Sequence, residues 1–112
     1  MTLEQKKIRP PRHLSKEARN WWAKLQEDFD IADTAGILIL TTAAEAFDRM
    51  RQAQATIAEE GAVVRDRFDQ PKSHPATVAE RDSRAAMLAA LKALNLDLEP
   101  LKERPGRPAG RR

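Results

Sequence analysis

Residues 34–61 read TAGILILTTAAEAFDRMRQAQATIAEEG, and this stretch decides the fold class. Asp33 or Thr34 can cap a helix at its start, and Gly61, which has no Cβ atom, suits a helix end. The pattern therefore predicts one helix over residues 34–60, about 40 Å long. Its first half is apolar on nearly every side, so several neighbours must cover it.

Two more helices are predicted, one on each side of the long one. Residues 15–30 follow a pair of prolines, can be capped by Ser15, and place apolar side chains at helical spacing, namely Leu14, Ala18, Trp21 or Trp22, Leu25 and Phe29. Residues 76–95 follow Pro75, whose fixed φ suits a first helical position. Asn95 suits a left-handed end, and one face of this helix carries Val78, Ala85, Leu88, Leu91 and Leu94.

Residues 62–73, between the second and third helices, are predicted to form either a loop or a small hairpin. In the hairpin, residues 63–65 would pair with residues 67–69, although no strong turn dipeptide separates them. The predicted fold class is therefore all-α, with three main helices and a basic arm at each end of the chain.

Positive charge is concentrated at the two ends of the chain. The net charge of the 112 residues is +3, but residues 1–14 and residues 99–112 each carry +3, so the middle of the chain carries −3. We therefore predict a basic N-terminal arm, a helical oligomerisation core and a basic, disordered C-terminal tail, at residues 1–13, 14–103 and 104–112. Basic arms favour a polyanion such as DNA, and the candidate DNA-binding residues are Lys6, Lys7, Arg9, Arg12, Arg104, Arg107, Arg111 and Arg112.

The C-terminal tail contains Gly106-Arg107-Pro108, the central part of an AT-hook, between Arg104 and Arg111. Prolines keep such a backbone extended, and an arginine can then enter the narrow minor groove of A·T-rich DNA. A basic tail that binds any DNA without preference is the alternative interpretation.

Catalytic, cofactor-binding and metal-binding residues are not predicted, so the chain is not expected to be an enzyme. His13 and His74 are far apart, both lie beside helix starts, and His74 is expected to cap the third helix. The chain has no cysteine, and its four glycines form no phosphate-binding loop. Trp21 and Trp22 can stack on bases, but their spacing favours a place in the core for at least one of them.

The apolar segment at the start of the long helix predicts self-association. A chain of this length supplies too few neighbours to cover it, and other subunits can supply the rest. The predicted interface residues of this homo-oligomer are Ile37, Leu38, Ile39, Leu40 and Phe47. The segment argues against a helix-turn-helix motif, because its first turns carry no base-reading side chains. It is also far too short to span a membrane, so a cytoplasmic protein without membrane partners is expected.

Certain residues between positions 14 and 104 occur in the order and spacing that a known family shows. They are Leu14, Ala18 and Trp22, then Asp33, then Ala46, Ala53, Ile57 and Gly61, then His74-Pro75, and finally Leu94, Leu96, Pro100 and Arg104. This order resembles the short phage terminase small subunits. The chain departs from the family's usual Leu-Gly-Leu-Thr-Pro after the third helix, because Asn95 replaces the glycine and Asp97-Leu98 lengthen the step to the proline.

The resemblance implies a non-catalytic protein of the host cytoplasm that forms a ring-like homo-oligomer. Such a protein would bind double-stranded viral DNA and recruit the large terminase subunit, which carries the ATPase motor and the nuclease. Two other functions stay open at this point. One is a small helical DNA-binding transcriptional regulator, and the other is a helical adaptor protein without DNA affinity.

Overall fold

The computed structural model describes residues 7–96, which form three α-helices and one β-hairpin. In chain order the elements are α1 (Lys16–Asp28), α2 (Thr34–Glu60), β1 (Val63–Arg65), β2 (Pro71–Ser73) and α3 (Pro75–Ala93). The predicted fold class and its three helices are confirmed, and the two alternatives for residues 62–73 resolve into a hairpin.

Each helix begins at a side-chain cap that the sequence indicates. Ser15 and Asp33 each accept a hydrogen bond at 3.0 Å from the backbone N–H three residues further on. His74 accepts one from the N–H of Ala76 through its ring Nδ1 at 2.9 Å. Pro75 is the first residue of α3, where its missing N–H leaves no donor unsatisfied.

Each helix is followed by a residue with positive φ, which reverses the chain. The angles are 51° at Asp30, 89° at Gly61 and 54° at Asn95. Helices α1 and α3 end at Asp28 and Ala93, each two residues before the predicted end. After α1 the turn is closed by Gln26, whose side-chain amide donates to the carbonyl oxygen of Ile31 at 2.9 Å, while the N–H of Ile31 donates back to the Gln26 carbonyl.

The hairpin pairs β1 with β2 in antiparallel register, and the predicted second strand, residues 67–69, was wrong. Those residues form the turn, because a single residue between two strands cannot reverse the chain. Asp66 organises that turn, since its carboxylate accepts from the N–H groups of Phe68 and Gln70 at 2.8 and 2.9 Å. Asp69 completes the reversal with a φ of 63°.

Small side chains at seven-residue intervals bring α2 and α3 together as an antiparallel pair. Ala46 and Ala53 are buried on α2, and Ser83 is 8% exposed on α3. A seven-residue repeat keeps one face of a helix turned toward its partner along the whole contact. On α3 this face consists of buried or half-buried side chains, namely Ala76, Glu80, Ser83, Met87, Ala90 and Leu94.

The apolar face predicted for α3 is therefore only partly the packing face. Leu91 and Leu94 are half-buried, but Val78 is 45% exposed, Leu88 is 55% exposed, and Ala85 is exposed. The difference has a steric reason, because alanine and serine allow two helix backbones to approach more closely than branched side chains do. Val78 and Leu88 are then turned outward.

Helix α1 packs on a neighbouring face of α2, beside α3, and completes the core. Trp22 is 1% exposed and donates its indole N–H to the Thr41 hydroxyl at 3.2 Å. Trp21 is half-buried and meets the ring of Phe47 edge-on at 5.5 Å between centroids. The buried cluster comes from α1, α2 and the residues flanking α1, and it is made of Leu14, Ala18, Trp22, Ile31, Leu40, Ala44, Phe47 and Met50. Met87 and Leu94, partly buried, pack against it from α3 and its end.

A chain of polar contacts joins all three helices across α2. Arg51 binds Glu17 of α1 at 3.1 Å and donates to Gln54 at 2.7 Å. Gln54 donates to Glu80 of α3 at 3.1 Å, and Arg84 binds the same carboxylate. The hydrogen bond from Gln54, followed by the one from Arg84, holds the pKa of Glu80 below its usual value of 4.5.

The two adjacent tryptophans provide a matched test of this packing. The indole N–H of Trp21 is buried and has no hydrogen-bond partner among the described residues, whereas that of Trp22 bonds to Thr41. We expect Trp22→Phe to lower the free energy of unfolding by about 1–2 kcal/mol more than Trp21→Phe does, because only the first substitution breaks a hydrogen bond. Urea denaturation of both variants measures this, and equal losses would contradict the assignment.

The lowered pKa of Glu80 predicts how stability depends on pH. A carboxyl group whose pKa is lower in the folded state stabilises the fold above its unfolded pKa, and this contribution is lost as the pH falls through the folded pKa. We therefore expect wild type to be more stable than Glu80→Gln near neutral pH, with the difference shrinking as the pH falls below 4.5. Denaturation curves across this range measure it, and a difference independent of pH would refute the role of the charge.

Candidate nucleic-acid interface

Three of the eight predicted DNA-binding residues lie in the described part of the chain. Lys7, Arg9 and Arg12 are all exposed and precede α1. The other five lie outside residues 7–96, and they are Lys6, Arg104, Arg107, Arg111 and Arg112. The possible AT-hook and the tail that contains it therefore also lie outside the described residues.

The N-terminal arm, as far as residues 7–14 describe it, lies against α1. Ile8 packs on the core cluster, and Leu14 is 2% exposed. Lys7 and Ile8 share a shallow depression with Ala23, Gln26 and Glu27 of α1 and with Asp30 just beyond its end. The arm thus returns along α1 from the start of that helix toward its end. Its apolar side chains face the protein, while its basic ones face outward.

Arg19 fixes the turn where the arm meets α1. Its guanidinium donates to the carbonyl oxygen of Leu14 at 2.7 Å and to that of Arg12 at 3.3 Å. The arm's own backbone closes the same turn, because the N–H of Leu14 donates to the carbonyl of Pro11 at 3.4 Å. These bonds hold the backbone of Arg12 and Leu14 beside the first turn of α1.

The other side of this junction is tied to α2. The backbone N–H and the hydroxyl of Ser15 donate to the two carboxylate oxygens of Asp48 at 2.8 and 2.5 Å. His13 contacts Glu45 at 2.8 Å. These two carboxylates are therefore engaged by the residues that lead into α1.

Helix α1 carries a second set of exposed polar side chains beside the arm. Lys16, Asn20 and Lys24 are exposed and four residues apart, so they lie along one line of the helix. The buried Ala18 and Trp22 lie on the opposite side. Asp28 continues this line one turn further, and Glu17 and Glu27 lie beside it, so the exposed face of α1 carries charges of both signs.

Ion pairs engage some of the basic side chains of the described structure and leave others without a partner. Four arginines on α2, the hairpin and α3 contact carboxylates, namely Arg51, Arg65, Arg81 and Arg84. Within residues 7–96, no carboxylate lies within ion-pair distance of the basic side chains of the arm and α1, which are Lys7, Arg9, Arg12, Lys16, Arg19 and Lys24. The same holds for four exposed basic side chains on the other elements, namely Arg49, Arg67, Lys72 and Lys92.

The five predicted interface residues lie in the first half of α2, at different depths. Leu40 and Phe47 are 0% and 8% exposed, because α1 and α3 cover them within the chain. Ile37 and Ile39 are half-buried, and Leu38 is 61% exposed. Most of the apolar surface that this segment leaves for a neighbouring subunit therefore belongs to Leu38.

His74 occupies the structural position expected for it. Because its Nδ1 accepts the N–H of Ala76, its Nε2 carries the hydrogen and donates to Glu60 at 2.7 Å. Among the described residues, no three His, Cys, Asp or Glu side chains are grouped so that they could hold a metal ion. No helix formed by residues 7–96 is long and apolar enough to cross a membrane.

Comparison with known families bears on the whole helical part of the chain. The family model described as phage terminase, small subunit, matches residues 16–100, which is more than half of the 112 residues. The chain belongs to the phage terminase small-subunit family. No curated protein and no solved structure gives a significant match.

The matched range of this terminase small subunit begins at Lys16, the first residue of α1, and includes all three helices and the hairpin. The resemblance inferred from the order of sequence features is thereby confirmed. The family has a role in phage DNA packaging inside the infected host cell, and it is generally the non-catalytic subunit of the terminase.

Proposed function

We propose that this small subunit forms a ring-like homo-oligomer in the host cytoplasm, binds double-stranded viral DNA and recruits the large terminase subunit, without catalytic activity of its own. The family match over residues 16–100 carries this proposal. It favours a packaging subunit over a transcriptional regulator or a DNA-independent adaptor. Self-association and DNA binding are supported by different observations, so each has an experiment of its own.

Charge supports the DNA-binding part of the proposal. The arm places Lys7, Arg9 and Arg12 on the surface without carboxylate partners among residues 7–96, and the tail adds four arginines beyond them. Each lysine or arginine that contacts a phosphate releases a condensed counterion, so affinity must fall as salt rises. Several arms in one oligomer would strengthen individually weak contacts through avidity.

We expect replacement of the basic arm residues by glutamine to remove most of the DNA affinity. One variant changes Lys6, Lys7, Arg9 and Arg12, and a second changes Arg104, Arg107, Arg111 and Arg112. Each lost phosphate contact should lower the slope of log affinity against log salt by about 0.9. Fluorescence anisotropy with a short DNA duplex measures both quantities.

The matched control changes four exposed basic residues that have no carboxylate partner among residues 7–96, namely Arg49, Arg67, Lys72 and Lys92. It removes the same charge from other surfaces and should leave most of the affinity. If the control variant loses as much DNA affinity as the arm variants do, the net charge of the protein alone governs binding and the arms have no special role.

Apolar exposure supports the self-association part. Leu38 is 61% exposed on the first turns of α2, and burying a leucine stabilises a contact by roughly 1.5–3 kcal/mol. We expect light scattering to show an assembly larger than a dimer for wild type and dissociation for Leu38→Glu. Phe68→Glu, at a residue that is 70% exposed on the hairpin, is the matched control and should stay assembled.

Two outcomes of this experiment would contradict the proposal in different ways. A folded wild-type monomer at tens of micromolar protein would remove self-association altogether. Dissociation by Phe68→Glu but not by Leu38→Glu would keep the oligomer and move its interface to the hairpin. Co-purification with the large subunit, tested on the same preparations, decides the recruitment part.

A further inference from the structure

An apolar groove lies between α1 and the end of α3. We infer that residues 97–101 of the same chain occupy this groove, with Leu98 and Leu101 as the seated side chains, and so tie the C-terminal tail to the helical core. These residues lie outside the described part of the chain. The inference goes beyond the proposed function, because it requires neither DNA nor the large subunit.

The groove is open to solvent and lined mainly by leucines. Its walls are formed by α1, α3 and the turn after α3, through Leu25, Leu88, Leu91, Lys92, Asn95 and Leu96. Among them, Leu88 is 55% exposed. The groove measures about 470 Å³, whereas two leucine side chains need about 240 Å³ if each carbon atom takes the ~30 Å³ of a water molecule. It therefore has room for two leucines, and burying them there is favourable.

The described part of the chain ends at this groove. Asn95 reverses the chain after α3 with a φ of 54°, and its N–H donates to the carbonyl oxygen of Lys92 at 2.9 Å. Leu96 then packs against the core cluster and lines the groove itself. The residues after Leu96 therefore start at the wall of the groove, and only a very short loop has to close to seat them.

The sequence after Leu96 has the leucines and the reach that the groove requires. Leu98 and Leu101 are the next two leucines, and Pro100 between them favours an extended chain. The extended chain from Leu96 to Leu101 spans up to about 17 Å. Because Leu88 lies only about 9 Å before the end of α3 along the helix axis, Leu101 can reach it.

Charge and position favour this segment over the N-terminal end of the chain. Lys92, on the rim of the groove, has no carboxylate within ion-pair distance among residues 7–96. Asp97 and Glu99 bring two negative charges to this rim. The N-terminal arm enters the described structure at Lys7, in a separate depression that shares no lining residue with the groove.

The family match supports the inference independently. It covers residues 16–100, so it continues past Leu96, the last described residue, and includes Leu98. What this chain shares with the family thus extends into the segment inferred to fill the groove. With Leu101 seated, the basic residues from Arg104 onward would start from a fixed point on the core.

A double-mutant cycle in the full chain tests the contact. Leu88→Ala removes the exposed leucine of the groove, and Leu98→Ala with Leu101→Ala removes its occupants. The control is Val78→Ala, at an apolar residue of α3 that is 45% exposed and lies outside the groove. Since Leu88 and Val78 are both exposed, all variants should keep the wild-type circular dichroism spectrum, and the Tm of each is measured by the same method.

We expect Leu88→Ala to lower the Tm of the otherwise wild-type chain by about 4–8 °C, because it removes a contact with the seated segment. In a chain that already carries Leu98→Ala and Leu101→Ala, the same substitution should lower the Tm by no more than about 2 °C, since nothing then covers Leu88. Val78→Ala should have the same effect in both backgrounds, because sites that do not touch are additive.

The cycle is repeated at about tenfold lower protein concentration, where a contact within one chain should give the same difference between the two backgrounds. If Leu88→Ala lowers the Tm equally in both backgrounds, the segment does not fill the groove and the inference is refuted. A difference that disappears on dilution would assign the groove to the segment of another copy, and this result would equally overturn the inference.

Discussion

Small side chains that repeat every seven residues set the distance between α2 and α3, and the other contacts of the chain follow from it. Ala46 and Ala53 on α2 face a side of α3 that contains Ser83, and all three are buried. Larger residues at these positions would separate the backbones and break the contacts along both helices. The polar bond from Gln54 to Glu80 lies in the same seam, where it needs the two helices at this separation.

Helix α1 packs on a neighbouring face of α2, where its Leu25 lies close to Leu88 and Leu91 of α3. Both tryptophans of α1 pack on the alanine-rich surface of α2 and bury a large apolar area there. Trp22 fills it completely and reaches Thr41, while Trp21 packs on Phe47 and stays half-buried. The side of α1 turned away from these contacts is the one that carries Lys16, Asn20 and Lys24.

Features that depend on local chemistry could be predicted from the sequence. The caps at Ser15, Asp33 and His74 need only a side-chain acceptor and the next turn of backbone, and all three are present. The second strand of the hairpin could not be predicted, because the turn requires five residues organised by Asp66. The packing face of α3 could not either, since a search for large apolar residues overlooks a seam of alanine and serine.

In the candidate site, too, some features could be predicted from the sequence and others depend on how the chain packs. Charge alone indicated the basic arms, because their residues stand at the ends of the chain, where no packing has to be known. On α1, helical spacing already indicated the outward side, but Glu17, Glu27 and Asp28 share it with Lys16 and Lys24, so charge gave no signal of a site there. Sequence also gave no sign that the arm would be held by Ile8 and Arg19.

The fixed arm has an energetic consequence for binding. A basic residue on a free chain loses conformational freedom when it settles on a phosphate, and this loss opposes binding. Lys7, Arg9 and Arg12 belong to a segment whose backbone is already positioned by the fold, so less freedom remains to be lost. Each of these charges should then contribute more to affinity than an equal charge on an unanchored segment. Loosening the arm by removing the Arg19 guanidinium would therefore weaken DNA binding beyond the loss of one charge.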